Sequence, residues 1–142
     1  MNIRKKIIPL VLLSAIVLAG CYANTKVPTA DEMTAEEVGM MTEIYQEYTP
    51  ELEDKYKGSQ KFVLFFHADW CPTCRVLEKK IKENLTSLAT AIILETNYDR
   101  EVEVKKKYKV RVQSTVVFFN ADGSIEKTKV NPRLQELIDF FS

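Results

Sequence analysis

The sequence predicts an α/β protein in which a mixed β-sheet is covered by helices on both faces. Two observations lead to this prediction. Short apolar runs of strand character alternate along the chain with stretches whose apolar residues recur at helical spacing, which is typical of a sheet with helices packed against it. Near the C-terminus, two predicted strands flank Asp122-Gly123, a strong hairpin signal. One strand pair is therefore antiparallel, and the sheet is mixed.

Five segments have strand character because branched and aromatic residues dominate them. These segments are residues 44–48, 61–66, 91–96, 115–119 and 125–130. The second is the most apolar, which indicates a central buried strand. The last two form the hairpin.

Four helices alternate with or follow these strands. The first begins with Thr49 as N-cap and Pro50 at the first helical position, and it ends at Gly58. Asp99 is the expected N-cap of the third helix, although valines make that stretch ambiguous. The second, third and fourth helices cover about 71–88, 99–108 and 131–142. The element order is therefore β-α-β-α-β-α-β-β-α.

The N-terminus has the pattern of an exported protein. Three basic residues, at positions 4–6, precede an apolar stretch at 7–19 that is short for a membrane-spanning helix. The Leu18-Ala19-Gly20-Cys21 that follows resembles the lipobox of bacterial lipoproteins. The resemblance implies cleavage before Cys21 and attachment of lipid, including palmitate, at that cysteine. An ordinary signal peptide or a weak anchor helix is the alternative, and in each case we expect the rest of the chain to be exported.

The predicted organisation has three parts: a lipoprotein signal peptide at 1–20, a lipid-anchored tether at 21–42 and one domain at 43–142. Removing residues 1–20, with three basic residues and no acidic one, leaves 17 basic and 20 acidic residues, a net charge of −3. This charge argues against nucleic-acid binding and against polybasic adhesion to lipid. We expect a monomer in the cell envelope, facing the periplasm or the exterior and held by its acyl chains.

A C-x-x-C pair lies between the central strand and the second helix, in Trp70-Cys71-Pro72-Thr73-Cys74. The N-terminus of a helix lowers the pKa of a thiol, and a second thiol one turn on is within bonding reach. We therefore expect Cys71 to be the nucleophile and Cys74 to be the more buried, resolving thiol. Pro72 suits the first turn, where a missing N–H is tolerated.

A zinc site is the main structural alternative for the two cysteines. It would need a second cysteine pair or two histidines, whereas this chain has three cysteines and one histidine. The third cysteine, Cys21, is accounted for by the N-terminal pattern. The sequence thus favours a redox-active dithiol, with no metal site and no cofactor.

The segment from about residue 43 to 142 resembles the thioredoxin-like family. The residues that carry the resemblance are those of 65–74, Tyr108-Lys109-Val110, 115–119 and Asp122-Gly123. The resemblance implies a thioredoxin fold and thiol–disulfide exchange with protein substrates through a mixed disulfide at Cys71. The N-terminal pattern makes this a bacterial lipoprotein form of the family.

The sequence departs from the family at two positions. Ser114 stands where thioredoxins carry a cis-proline beside the dithiol. A cis bond before a non-proline residue costs about 2.5–4 kcal/mol, so Gln113–Ser114 is either a strained cis bond or trans, and we expect trans. Ser114 adds a hydroxyl near the sulfurs, where it could tune the redox couple or contact substrate. Phe65 stands where thioredoxins carry a buried aspartate that assists proton transfer.

Three further residues are candidates for redox tuning or substrate contact. His67 could carry the proton of the resolving thiol or, as an imidazolium, stabilise the Cys71 thiolate; alternatively, it is a strand residue packed at the end of the sheet. Trp70 offers a flat amphipathic ring to substrates. Thr73, with Pro72, forms the dipeptide between the cysteines that tunes the reduction potential.

The sequence therefore predicts an exported, membrane-anchored thiol–disulfide oxidoreductase. We expect it to reduce rather than oxidise its substrates, because Ala68-Asp69-Trp70-Cys71 resembles reducing family members. A reductase outside the cytoplasm implies a membrane electron donor as partner. The alternative is a metal-binding module or metallochaperone whose two thiolates hold Cu(I).

Overall fold

The computed structural model describes residues 34–142. The predicted signal peptide, the lipid site at Cys21 and the first part of the predicted tether lie outside these residues. The elements in chain order are α1 (Ala35–Ile44), β1 (Tyr45–Glu47), α2 (Pro50–Tyr56), β2 (Phe62–His67), α3 (Pro72–Lys82), the 3-10 helix η1 (Leu85–Leu88), β3 (Ile93–Asn97), α4 (Val102–Lys107), β4 (Thr115–Phe119), β5 (Ile125–Val130) and α5 (Leu134–Phe141). None of these helices is long and apolar enough to cross a membrane.

The five strands form one sheet in the order β1-β3-β2-β4-β5. Strands β1, β3 and β2 are parallel, whereas β4 is antiparallel to β2 and β5 is antiparallel to β4. Every residue of the central strand β2 is buried. The predicted mixed α/β sheet is therefore confirmed, with the hairpin at Asp122-Gly123 joining β4 to β5.

Two apolar cores lie on opposite faces of the sheet because side chains alternate along each strand. Val63 and Phe65 of β2 point to one face, where residues of α1, α3, η1 and α5 pack. Phe62, Leu64 and Phe66 point to the other, where residues of α2 and α4 pack. Both cysteines belong to the first core, so the dithiol is built into the face covered by α3 and α5.

The structure places a helix, α1, over most of the second half of the predicted tether. The predicted domain boundary between residues 42 and 43 falls inside this helix. Thr34 and Glu37 form a capping box at its start, and Ile44 at its end is buried in the first core. The sequence allows a short helix over residues 31–41, although its apolar pattern is poor, and the structure places the helix at Ala35–Ile44.

Three other helices differ from their predicted lengths. The second predicted helix divides: α3 ends at Lys82, and Leu85–Leu88 form the separate turn η1. The Asn84 side chain donates a hydrogen bond to the Lys80 carbonyl, so it competes with the helix for that acceptor. Helix α4 begins at Val102, and Asp99 does not cap it. The last helix likewise begins at Leu134, after the predicted start at 131.

The strands lie within one or two residues of their predicted positions. Strands β4 and β5 coincide with the prediction, β2 is shifted by one residue, β3 begins and ends later, and β1 is shorter at both ends. Helix α2 begins after its N-cap Thr49, as predicted, and Gly58 follows it with a φ of 83° that favours glycine.

A buried carboxylate ties helix α2 to helix α4. Glu53 is 1% exposed and accepts hydrogen bonds from Tyr48 Oη at 2.9 Å, Lys107 Nζ and Tyr108 Oη. Burial alone would raise the pKa of Glu53, but these three donors outweigh it and lower the pKa below its usual value. The charged carboxylate is therefore part of the packing on this face.

Replacing Glu53 with Gln is expected to lower the free energy of unfolding by about 1–3 kcal/mol at neutral pH, because three donors lose a charged acceptor. Because folding lowers the pKa of Glu53, its carboxylate stabilises the folded state fully at pH values above the pKa of the unfolded chain, near 4.5. This contribution is lost as the pH falls through the pKa of the folded state. The difference between wild type and E53Q in urea unfolding should therefore shrink in acid. The exposed neighbour Asp54→Asn is the control, and equal stability of E53Q and wild type at neutral pH would contradict this role.

Candidate active site

The dithiol lies at the carboxyl end of the central strand. Strand β2 ends at His67, and a three-residue loop leads to Cys71, the N-cap of α3, which is followed by Pro72 in the first turn. The Cys71 N–H donates to the Ala68 carbonyl at 2.9 Å and closes this loop. Because β2 is buried along its whole length, the start of α3 is held at one place on the sheet.

Both cysteines are free thiols, and the first turn of α3 donates hydrogen bonds to the first one. The backbone N–H of Cys74 donates to Cys71 Sγ at 3.4 Å. The Thr73 hydroxyl oxygen lies 3.1 Å from the same sulfur. The Cys71 sulfur thus occupies the N-cap acceptor position that a serine or aspartate oxygen usually fills, where the helix dipole favours negative charge.

The pKa values of the two thiols are shifted in opposite directions from the ordinary value for cysteine. Burial would raise the pKa of Cys71, but hydrogen bonds from the Cys74 and Thr73 side chains and backbone amides lower it below the ordinary value. Burial, and next the adjacent Cys71 sulfur, raise the pKa of Cys74 to about 11. At neutral pH, Cys71 is therefore the better source of thiolate, and Cys74 is held as a thiol.

Both cysteines are buried in the core between α3 and the sheet, and Cys74 lies at least as deep as Cys71: Cys71 is 1% exposed and Cys74 is 0% exposed. The difference in acidity has two causes. Burial is the main cause that raises the pKa of Cys74, and hydrogen bonds lower the pKa of Cys71.

Ser114 lies just before β4, and its backbone is held on both sides. Its N–H donates to the Phe66 carbonyl at 2.9 Å, and its carbonyl accepts from the Asn131 N–H at 2.8 Å. The residue has a φ of 58°, and no peptide bond within residues 34–142 is cis. The expectation of a trans Gln113–Ser114 bond is therefore confirmed. The Ser114 hydroxyl is buried and makes no hydrogen bond with an oxygen or nitrogen of the described residues.

His67 is 3% exposed and is surrounded by carboxylates rather than by sulfur. Its Nε2 lies 3.2 Å from Glu78 Oε2, and its Nδ1 lies 3.4 Å from Glu95 Oε1 and 3.6 Å from Asp69 Oδ1. The hydrogen bond with Glu78 is the main cause that raises the pKa of His67, and it is also the main cause that lowers the pKa of Glu78 to about 2. His67 therefore packs at the end of the sheet, which agrees with the alternative that it is a structural strand residue. The neighbouring carboxylates favour its protonated form.

The sequence interpretation missed the partners of His67. Glu78 lies four residues after Cys74, on the same face of α3, and it also pairs with Lys82 Nζ at 2.6 Å. Glu95 comes from β3, beside β2 in the sheet. The four-residue spacing of Cys74 and Glu78 could have indicated that Glu78 lies on the helix face that points to the site. Nothing in the sequence links His67 to Glu95.

Trp70 lies at the surface beside Cys71, and 58% of it is exposed. Its indole Nε1 donates to Asp99 Oδ2 at 2.9 Å. Asp99 therefore orients the tryptophan instead of capping a helix. A fixed, exposed ring next to a reactive sulfur is suited to contact with a protein substrate.

A cleft of about 260 Å³ opens beside the first turn of α3, between it and the segment that precedes α5. The residues nearest the dithiol and across from it are Pro72, Thr73, Val76, Ser114, Asn131 and Arg133. Trp70, Val76, Val112 and Val130 are exposed apolar side chains in the loop and element ends around this site. The surface around the dithiol is therefore apolar.

One group of side chains in residues 34–142 has the spacing of metal ligands. His67, Asp69 and Glu95 each offer one ligand atom, and these atoms lie within 4.8 Å of one another. Neither cysteine belongs to this group. Within the group, the His67 Nδ1 lies 3.4 Å from Glu95 Oε1 and 3.6 Å from Asp69 Oδ1, which is the spacing of charge pairing.

Comparison with known proteins identifies the family. The thioredoxin family model matches residues 40–142. The thiol:disulfide interchange protein DsbD of Haemophilus ducreyi is 28% identical over 108 residues, which are 71% of this chain and 18% of that protein. A thioredoxin of Rickettsia bellii is 33% identical over 79 residues, which are 55% of this chain and 74% of that protein.

Solved structures agree with the fold. Trxlp from Edwardsiella tarda has a TM-score of 0.61 at 19% identity, and the match covers 69% of this chain and 98% of that one. A mutant thioredoxin from Halobacterium salinarum has a TM-score of 0.58 at 25% identity, and the match covers 69% and 86% of the two chains. Since the family model matches more than half of the chain and includes the whole dithiol site, the chain belongs to the thioredoxin family.

Proposed function

We propose that this protein is a thiol–disulfide oxidoreductase that reduces disulfides of protein substrates through Cys71 and Cys74. The observation that carries the proposal is the placement of two free thiols in the first turn of α3, with the Cys71 sulfur as the N-cap acceptor of the Cys74 N–H. A thiolate is the attacking species in disulfide exchange, and Cys71 is the thiol whose ionised form is stabilised. Membership of the thioredoxin family supports the same chemistry.

The exchange consists of two displacements. The Cys71 thiolate attacks one sulfur of a substrate disulfide, forms a mixed disulfide and releases the other substrate sulfur as a thiolate, which takes up a proton. Cys74 loses its proton and attacks the Cys71 sulfur, which forms the Cys71–Cys74 disulfide and releases the second substrate thiolate. Two electrons pass from the dithiol to the substrate. A two-electron donor must then reduce the Cys71–Cys74 disulfide, and we propose a membrane protein for this role.

The residues before the first cysteine support the reducing direction. Ala68-Asp69-Trp70-Cys71 resembles the sequence of reducing members of the family. The apolar surface around the dithiol supports a protein substrate, because exposed apolar patches are typical of binding sites.

The accumulation of a mixed disulfide tests this proposal. With dithiothreitol as donor, the full chain should reduce the disulfides of insulin. Cys74→Ser should lose turnover and accumulate a covalent adduct with insulin through Cys71, whereas Cys71→Ser should form no adduct. Mass spectrometry without reductant detects the adduct. Turnover in both variants at the wild-type rate would contradict the proposal. Tight stoichiometric Cu(I) binding without any insulin reduction would instead support the metal-binding alternative.

We further propose that the protein is anchored in the cell envelope by lipid on Cys21, as a monomer facing the periplasm or the exterior. The support is the basic, apolar and Leu-Ala-Gly-Cys pattern of residues 4–21. Thiol:disulfide interchange is also the named role of the Haemophilus ducreyi relative.

Cys21→Ser should move the protein from the membrane fraction to the soluble fraction or leave it unprocessed, since the acceptor thiol for the lipid is absent. Fractionation and intact mass of the wild type and C21S measure this directly. An unlipidated wild-type protein would exclude the anchor without affecting the dithiol chemistry.

A further inference from the structure

The backbone of Ser114 is held on both sides. The bond from the Ser114 N–H to the Phe66 carbonyl extends the pairing of β2 with β4, and the bond from Asn131 holds the other side of the residue. The residue has a φ of 58° and is 2% exposed. Its hydroxyl therefore lies inside the protein and not in solvent.

The Ser114 hydroxyl is buried and has no hydrogen-bond partner among the described residues, which is unfavourable. Ser114 lines the same cleft as Pro72 and Thr73, so it lies beside the turn of α3 that carries both cysteines. Burial raises the pKa of Cys74, whereas the Ala68 backbone amide and, after it, the Ser114 hydroxyl lower it. Ionisation of Cys74 therefore offers the unpartnered hydroxyl a charged acceptor.

We propose that the Ser114 hydroxyl donates a hydrogen bond to the Cys74 thiolate and thereby accelerates resolution of the mixed disulfide. This inference rests on the proposed function and assigns a catalytic residue to its second step. The Cys74 proton leaves to water or buffer, the thiolate attacks the Cys71 sulfur, and the substrate sulfur departs as a thiolate. Ser114 keeps its own proton throughout, because it supplies a hydrogen bond and not an acid.

The Ala68 backbone amide is the other donor that lowers the pKa of Cys74. Tyr45 from β1 is partly buried and its pKa is raised, first by burial and then by Glu95 and Glu78, so it stays protonated beside two carboxylates. Glu78 has a pKa of about 2 and is a weak base. Cys71 is part of the mixed disulfide at this stage. Ser114 is therefore the side-chain donor that we assign to the thiolate, in addition to the Ala68 amide.

The two steps can be separated with an aromatic disulfide, dithiobis-nitrobenzoate, and the reduced full chain. At excess reagent, Cys71 releases one thionitrobenzoate in a first phase, and attack by Cys74 releases a second one in a later phase. The absorbance of thionitrobenzoate gives both rates as a function of pH. Ser114→Ala and Ser114→Gly both remove the hydroxyl, but only glycine relieves the positive φ. Thr73→Ala is the matched control, because the Thr73 hydroxyl contacts Cys71.

We expect both Ser114 variants to slow the second phase about tenfold at neutral pH and to shift its midpoint about one pH unit upward, with the first phase unchanged. Thr73→Ala should slow the first phase and leave the midpoint of the second unchanged. An unaltered second phase in both Ser114 variants, or a shift in only one of them, would overturn the inference and leave the proposed function standing. A wild-type protein that shows a first phase and no second phase would overturn both.

Discussion

The structure depends on the point at which helix α3 begins. The Cys71 sulfur is the N-cap acceptor of this helix, and the backbone N–H of Cys74 donates to it. The fully buried central strand β2 ends three residues before that point. The hydrogen bond from the Cys71 N–H to the Ala68 carbonyl closes the intervening loop and fixes where the helix begins. Since a helix N-terminus favours negative charge, one interaction both starts the helix and lowers the pKa of the reactive thiol.

Much of the fold could be predicted because the secondary structure that the local sequence favours is the one found in the folded protein. The apolar run of β2, the N-cap and proline of α2 and the Asp122-Gly123 turn each specify their element without help from distant residues. The sequence indicates helix α1 only weakly, because a few irregularly spaced contacts hold it on the core. The division of α3 from η1 also escaped prediction, since the side chain of one residue, Asn84, ends the helix.

The candidate site also has a part that the sequence could predict and a part that it could not. Cys71, Pro72 and Cys74 lie in one turn, so their spacing is sufficient to place them. The surroundings of that turn come from other elements. His67 meets Glu95 across two strands, and Trp70 meets Asp99 from the loop after β3. Ser114 lies beside the turn that carries the dithiol only because the sheet pairs β4 with β2. These contacts join residues far apart in the chain, and no local pattern encodes them.

The reduction potential of the Cys71–Cys74 couple tests the reductase proposal most directly. The full chain would be equilibrated with glutathione or dithiothreitol buffers of known potential, and the oxidised fraction measured by alkylation and mass. We expect a reversible two-electron couple near the value of thioredoxin, about −270 mV, because the residues that precede Cys71 resemble those of reducing family members. A potential near about −120 mV would indicate an oxidant, and the absence of a reversible couple would contradict a redox role for the dithiol.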